Sequence, residues 1–274
     1  MHLIGLHIDS SLDNIFDSVI EAKNNGANIV QFFVSPNIKD KSIYHRVNNF
    51  LIKHNMKCVI HASYTINLAQ NWDTYSWWIQ QFIEEIRLAN VLNALYIVIH
   101  LGKYKDLSKE EAINNMYSSL LYIHQESKKF GETKILIETS TGQGTELGYK
   151  LEELTTIYRK FSKHKKTEIV DRFGICLDTC HIFSAGYNIK NKESREIFFD
   201  NFNELIGMDQ IKLIHMNDSK VECGAHVDRH QNIGDGYIGK EPLLIITEAF
   251  KKLNIPIILE TPYKNVMRDL KIIK

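Results

Sequence analysis

Six successive apolar runs of this sequence end in or beside a side chain that can bind a metal ion or transfer a proton. These side chains are His61, His100, Glu138, Asp178, His215 and Glu260, and His181 follows Asp178 by one helical turn. A single ionisable group at a strand end is usually a hydrogen-bonded core residue or a helix cap. Six in succession are not explained in that way, and imidazole and carboxylate groups are the usual ligands of zinc and manganese. The pattern therefore predicts a metal centre.

A later segment, Val227–Gly239 (VDRHQNIGDGYIG), adds Asp228 and His230. At positions i and i+2 these two side chains can point the same way and bind one ion. Together with the strand ends, five histidines and four carboxylates suit two or three ions better than one. Carboxylates crowded in one cavity repel each other, and divalent cations remove that repulsion. Three such ions against four carboxylates leave a net charge of about +2, which would attract a phosphodiester.

The elements that must position these residues repeat along the chain. Near-continuous Ile, Val and Leu runs are typical of parallel strands buried on both faces. Eight such runs are present: Leu3–Asp9, Ile29–Val34, Cys58–Ser63, Leu95–His100, Lys134–Thr139, Phe173–Thr179, Ile211–Asn217 and Ile255–Glu260. Stretches with helical spacing lie between them: Leu12–Asn25, Tyr75–Val91, Ser108–Lys129, Leu151–Ser162, Arg195–Leu205 and Glu241–Leu253.

Eight strands alternating with helices over 274 residues predict one (β/α)8 TIM barrel that takes in residues 1–274 as a single domain. An open doubly wound sheet is the alternative, but no GxGxxG motif follows the first strand. In a barrel the carboxyl ends of all strands lie on one face, where active sites form. The candidate ligands are therefore expected to meet there.

The composition excludes several classes of protein. The 33 Lys and Arg residues balance the 33 Asp and Glu residues, which excludes a broadly basic surface but leaves room for a local basic patch. No apolar run approaches the roughly 20 residues of a membrane span, and the N-terminal residues lack a signal-peptide pattern. Four scattered cysteines without a CxxC pair fit a reducing intracellular compartment.

Five segments resemble the type IV apurinic/apyrimidinic endonucleases: HASYTINLA at 61–69, IETSTGQGTELG at 137–148, GICLDTCHIFSAGY at 174–187, HMNDSK at 215–220, and 228–239. The resemblance runs in consistent order from the first strand (IGLHID) to Glu260. It implies a (β/α)8 barrel with three zinc ions that cuts double-stranded DNA 5′ to an abasic site. The products would be a 3′-hydroxyl and a 5′-deoxyribose phosphate, with trimming of blocked 3′ ends as a further activity.

The resemblance also assigns the ligands. It implies one zinc on His61, His100 and Glu138, a second on Glu138 (as a bridge), Asp178, His215 and Glu260, and a third on His181, Asp228 and His230. Manganese in place of zinc at one of the three sites is an alternative. Glu138, Asp178 and Glu260 are the expected catalytic carboxylates, and Glu260 is the one expected nearest the nucleophile. His7, Asn217 and Gln143 are candidates for supporting the ligands, whereas Cys180 is expected to be a small buried residue.

Contacts with DNA are expected from the loops after the strands. Tyr64 matches a tyrosine that the family inserts into the minor groove, and Arg229, Lys39, Lys103 and Lys220 are candidate phosphate contacts. The segment 35–41 (SPNIKDK) departs from the family pattern, since it offers Asn37, Ile38 and Lys39 where an inserted arginine is expected. We therefore expect this segment to alter the affinity for DNA or the discrimination between lesions, and not the hydrolysis itself.

Two other functions remain open at this point. A metal-dependent sugar isomerase or epimerase uses the same barrel and similar ligands. A lesion-binding protein without turnover is the third interpretation, and the complete ligand set weighs against it. No membrane association is expected, and a monomer is the family expectation.

Overall fold

The computed structural model describes residues 2–11, 14–38 and 40–274. Eight parallel strands close into a barrel in chain order, the eighth pairing with the first. The strands are Ile4–His7, Ile29–Phe33, Lys57–His61, Tyr96–His100, Lys134–Glu138, Phe173–Asp178, Ile211–His215 and Ile257–Leu259. The predicted (β/α)8 barrel is confirmed, and each predicted strand is present with somewhat different ends.

Helices surround the barrel and bury their apolar sides against it. The longer ones are Ile15–Asn24, Ser42–Lys53, Trp77–Val91, Lys109–Ser127, Leu151–Ser162, Lys192–Leu205, Lys240–Lys252 and Val266–Ile273. The expected start of the fourth of these is confirmed, because Ser108 and Glu111 form a reciprocal capping box. The first helix begins at Ile15, and Leu12 and Asp13 of the predicted helix lie outside the described residues.

Four of the described helices were not expected from the sequence. Ser42–Lys53 and Val266–Ile273 are amphipathic, and Thr167–Arg172 and Thr179–Ser184 are single short turns of helix. The last of these starts directly at the end of the sixth strand, where Asp178 accepts a hydrogen bond from the His181 amide. This cap fixes the direction in which His181 leaves the strand.

An apolar layer fills the interior of the barrel. Its fully buried members are Ile29, Val59, Val98, Leu136, Cys176, Leu213 and Ile258, one from each strand except the first. The first strand contributes Gly5, where a Cβ atom would lie 1.6 Å from the Ile29 carbonyl oxygen. No residue other than glycine fits at this position without moving the neighbouring strand.

Side chains two residues apart on a strand point to the same face. The next inward position on each strand therefore stands directly above this apolar layer, at the carboxyl-end face. These positions are His7, Gln31, His61, His100, Glu138, Asp178, His215 and Glu260. The barrel thus carries a complete polar layer on top of an apolar one.

The loop after the seventh strand completes this face. The two-residue strands Asp218–Ser219 and His230–Gln231 pair in antiparallel fashion and fold the loop after the seventh strand back over the barrel.

In the described residues, no helix is both long and apolar enough to cross a membrane.

Candidate metal centre

Strand register makes neighbours of the polar side chains in the upper layer. His100 pairs with Glu138 on adjacent strands, and Asp178 pairs with His215. All nine predicted ligands lie at this face, and they form three adjoining clusters.

The first cluster consists of His61, His100 and Glu138. Glu138 Oε2 lies 3.3 Å from His61 Nε2 and 3.1 Å from His100 Nε2. Their three ligand atoms are within 4.8 Å of one another, a spacing that a single ion can span. Glu138 is fully buried, so its charge has to be compensated within the protein.

The second cluster shares Glu138 with the first. Its other oxygen, Oε1, lies 2.7 Å from His215 Nδ1. The same nitrogen lies 3.1 Å from Glu260 Oε2 and 3.9 Å from Asp178 Oδ2. Glu138 therefore presents one oxygen to each cluster, which is the geometry that a bridging carboxylate requires.

The third cluster forms around Asp228. Its Oδ2 lies 3.3 Å from His181 Nε2, and its Oδ1 lies 3.2 Å from His230 Nε2. Asp178 also borders it, with Oδ2 at 3.6 Å from His230 Nε2. The buried Cys180, expected only to pack, has its Sγ within reach of Asp228 and His230 as well.

The ring tautomers suit metal binding. The Nδ1 atoms of His61, His181 and His230 lie 2.7, 2.7 and 3.2 Å from the carbonyl oxygens of Ala62, Thr139 and Glu260, respectively. A carbonyl only accepts, so each Nδ1 carries a proton and Nε2 is the nitrogen left for an ion. The Nε2 atoms of His181 and His230 are buried and make no hydrogen bond, as expected for ligand atoms.

The electrostatics of the site also favour the binding of cations. Burial alone would lower the pKa of the His215 imidazole, but Glu260 and Glu138 outweigh it and raise this pKa to about 9. Burial is likewise outweighed at His230, where Asp178 and Asp228 raise the pKa to about 9. Without cations His215 and His230 therefore take up protons to offset the carboxylates, and divalent ions can replace those protons. The residues present fit a cluster of such ions.

The side chains around the clusters hold the ligands in place. Asn217 donates to Asp178 Oδ2 at 2.7 Å, and its own carbonyl oxygen accepts the Glu260 amide. Gln143 Oε1 accepts the Asp228 amide at 3.3 Å. His7, too, lies in this shell, with Nδ1 at 3.6 Å from Glu260 Oε1.

Gln31 belongs to the site and was missed from the sequence. It is fully buried, donates to Glu260 Oε1 at 2.6 Å and faces His215 Nε2 with its carbonyl oxygen. It is the one polar residue of the strand Ile29–Phe33 and stands two positions after the inward-facing Ile29. That spacing is the signal that would have identified it.

Of the predicted DNA contacts, Tyr64 lies beside the centre. Tyr64 is 62% exposed, and its ring lies 4.9 Å from the ring of His61. Arg229, Lys103 and Lys220 are exposed, although Lys103 is paired with Glu146 at 3.4 Å. Lys39 lies outside the described residues. A cavity of about 870 Å³ opens between Tyr64, Glu260 and His230 and gives access to the clusters.

Sequence comparisons with known proteins identify the family to which the chain is related. The model of a family described as xylose isomerase-like TIM barrel matches residues 19–274. The probable endonuclease 4 of Mycoplasma mobile is 35% identical over 274 residues, covering 95% of this chain and 92% of that protein. The probable endonuclease 4 of Aquifex aeolicus is also 35% identical, over 277 residues, covering 97% and 94%.

Solved structures show the same fold with lower identity. Endonuclease IV from Thermus thermophilus superposes with a TM-score of 0.79 at 23% identity, covering 98% of both chains. A D-tagatose 3-epimerase-like protein superposes with a TM-score of 0.75 at 18% identity, covering 99% of this chain and 95% of that one. The barrel alone does not distinguish a nuclease from an epimerase, whereas the sequence relatives do.

Proposed function

The chain belongs to the endonuclease IV family of xylose isomerase-like TIM barrels, and from this premise we propose that it hydrolyses the phosphodiester 5′ to abasic sites in double-stranded DNA with the help of three zinc ions. The observation that carries the proposal is the set of three adjoining ligand clusters: Glu138 joins the first two, and Asp178 lies between the second and the third. The ring nitrogens of His61, His181 and His230 that face the clusters are the ones left available for an ion. A manganese ion at one of the three positions is compatible with the same nitrogen and oxygen ligands.

Each cluster would hold one ion. His61, His100 and Glu138 would hold the first, and Glu138, Asp178, His215 and Glu260 would hold the second. His181, Asp228 and His230, which meet at the Asp228 carboxylate, would hold the third. When bound, zinc supplies Lewis acidity, which activates water at neutral pH and stabilises charge on phosphate oxygens. In the overall reaction water attacks phosphorus, the P–O3′ bond breaks, and the leaving oxygen gains a proton. The products are a 3′-hydroxyl and a 5′-deoxyribose phosphate.

The chain's own residues orient the reacting groups. Glu260 borders the cavity, and the Gln31 amide holds its Oε1 in a fixed position. This makes Glu260 the carboxylate best placed to orient the attacking water. Glu138 and Asp178 are fully buried and would provide the negative charge that holds the ions.

The exposed side chains at the cavity rim would bind the DNA. Tyr64 stands at the cavity mouth and would insert beside the lesion, where a missing base lowers the cost of extruding the nucleotide. Arg229 lies between two of the proposed ligands and would contact the phosphate nearest the ions. Lys220 and Lys103 would contact phosphates farther along, and Lys103 would exchange its pairing with Glu146 for one with DNA.

Removal of 3′-blocking groups would follow from the same centre, since it too is hydrolysis of a phosphate ester that ends at a 3′-oxygen. We propose that the protein acts as a monomer in a reducing intracellular compartment. Cys58, Cys176 and Cys180 are buried free thiols, as expected where disulfides do not form.

One experiment tests class, substrate and cofactor together. The purified protein is analysed for metal and then incubated with a duplex that carries one abasic analogue, with an intact duplex as control. About three zinc ions per chain and a nick only on the 5′ side of the lesion are expected. Binding to the abasic duplex without a nick would favour a lesion-binding protein. One ion or none with an uncut, unbound duplex would refute the nuclease and direct the test to sugar substrates.

A further inference from the structure

Glu85 is a buried carboxylate directly beneath the loop that carries Tyr64. It lies on the helix Trp77–Val91 and is 1% exposed. Among the described residues no basic side chain pairs with it, and burial raises its pKa to about 7. Such a group is costly to bury, so its hydrogen-bond partners are informative.

Each carboxylate oxygen of Glu85 has one partner. Oε2 accepts the backbone amide of Ser63 at 3.2 Å, and Oε1 accepts the side-chain amide of Gln81 at 2.8 Å. Ser63 directly precedes Tyr64, and the Ser63 hydroxyl forms a hydrogen bond of 2.8 Å with the hydroxyl of Thr65, which directly follows Tyr64. Glu85 therefore fixes the backbone from which Tyr64 projects.

The same residues form a cleft beside Tyr64. It has a volume of about 340 Å³, and its walls come from the loops after the second and third strands and from Gln81. Because the Gln81 NH2 group faces Glu85, its carbonyl oxygen is left as an acceptor. Across the cleft, Ser35 donates its amide to the hydroxyl of Tyr44 at 2.7 Å. Ser63 and Gln81, which line one side of the cleft, are both hydrogen-bonded to Glu85.

We propose that Glu85 is a positioning residue for lesion binding: by holding Ser63 and Gln81 it fixes Tyr64 and the adjoining wall of the cleft in the arrangement that receives DNA. The inference rests on the proposed function, since it concerns how Tyr64 meets the substrate. Glu85 lies outside the ligand clusters, and its effect is on binding and not on the chemical step.

Two substitutions test this role. Glu85→Met keeps the volume and removes both acceptors, and Glu85→Gln keeps one carbonyl acceptor for two donors. We expect Glu85→Met to raise KM and the Kd for abasic duplex about 10-fold, with Glu85→Gln in between, while kcat and zinc content stay unchanged. Glu153→Gln is the matched control. Glu153 lies on a different helix, Leu151–Ser162, and likewise accepts a backbone amide of a loop, that of Gly148, at 2.9 Å.

A double-substitution cycle separates positioning from general packing. In a Tyr64→Ala background, Glu85→Met should add less than twofold to Kd, because the residue it positions is already gone. Equal losses with and without Tyr64, or a fall in kcat with unchanged KM, would overturn the inference. If the wild type nicks abasic DNA and the Glu85 variants bind normally, the proposed function stands and this inference fails. If the wild type neither binds nor nicks it, both fail.

Discussion

Gln31 Oε1 lies 2.8 Å from His215 Nε2 inside the barrel, although the two residues are 184 positions apart in the chain. Because the amide oxygen only accepts, His215 carries a proton on Nε2, and Nδ1 is the nitrogen that faces Glu138, Glu260 and Asp178 and would give up its proton to an ion. A neutral amide thus selects which nitrogen of His215 is available as a ligand.

Replacing Gln31 with Leu should weaken the second cluster. The His215 Nε2–H group and Glu260 would both lose a buried partner, and loss of such a supporting contact typically costs 10- to 100-fold in metal affinity or activity. The measurement is zinc content under competition with a chelator, together with nicking rate. Gln80→Leu, at an exposed helical position, serves as control. Unchanged affinity in Gln31→Leu would show that His215 needs no such support.

Replacing Glu138 with Ala should remove a ligand from two clusters at once. We expect loss of more than one zinc ion per chain and a fall in nicking of roughly 100- to 1,000-fold or more. Metal analysis and single-turnover nicking measure the two effects, with the exposed Glu204→Ala as control. A variant that kept all its zinc would rule out the bridge.

Replacing Tyr64 with Ala should weaken binding to abasic duplex about 10- to 100-fold, since stacking on a base or filling a gap is worth roughly 1–3 kcal/mol. Zinc content should not change, because the ring lies beside His61 and is not a ligand in the proposed set. Fluorescence anisotropy with abasic and intact duplexes measures the difference. Tyr75→Ala, at a residue that is 89% exposed, controls for loss of an exposed ring. An equal fall for both duplexes would mean that Tyr64 contacts only the backbone.

Removal of metal should make stability depend on pH in the alkaline range. In the ion-free protein the pKa values of His215 and His230 are about 9, above the unfolded value of about 6.5. The folded state therefore binds more protons than the unfolded state between these values, and stability falls as pH rises from about 6.5 through 9. We expect Tm of chelated protein to drop by roughly 5 °C or more over this interval. Zinc-loaded protein, whose imidazoles are already neutral, should not show this drop.

Replacing Asp218 with Asn should loosen the loop that carries Asp228 and His230. The buried Asp218 carboxylate accepts backbone amides from Ser219, Gly234, Gly236, Ile238 and Gly239. An amide offers only one acceptor oxygen, so we expect a loss of about 3 kcal/mol in the free energy of unfolding and weaker retention of one zinc ion. Urea unfolding and metal analysis test this, with the exposed Asp200→Asn as control. Full stability in Asp218→Asn would show that the loop is held elsewhere.

Much of the centre was predictable because a strand has a period of two. Runs such as Leu95–His100 and Lys134–Thr139 mark the strands, and His100 and Glu138, at or next to the ends of these runs, mark the upper layer. Gln31 obeys the same rule and was overlooked because it lies within an apolar run and is not charged. The helix Ser42–Lys53 was missed because its N-cap residue is Lys41, which makes no side-chain cap and gives no capping signal in the sequence.

The sequence by itself determined which side chains face the barrel interior and at which level, since alternation along a strand needs no knowledge of the neighbouring strands. Only the tertiary structure decided which of them meet. Glu138 lies between two clusters because barrel closure and register place His100 and His215 on either side of it. Ser63 rests on Glu85 because a helix packs under that loop. Such distances depend on how many strands close the barrel and how they are staggered, a property of the whole fold that no local pattern encodes.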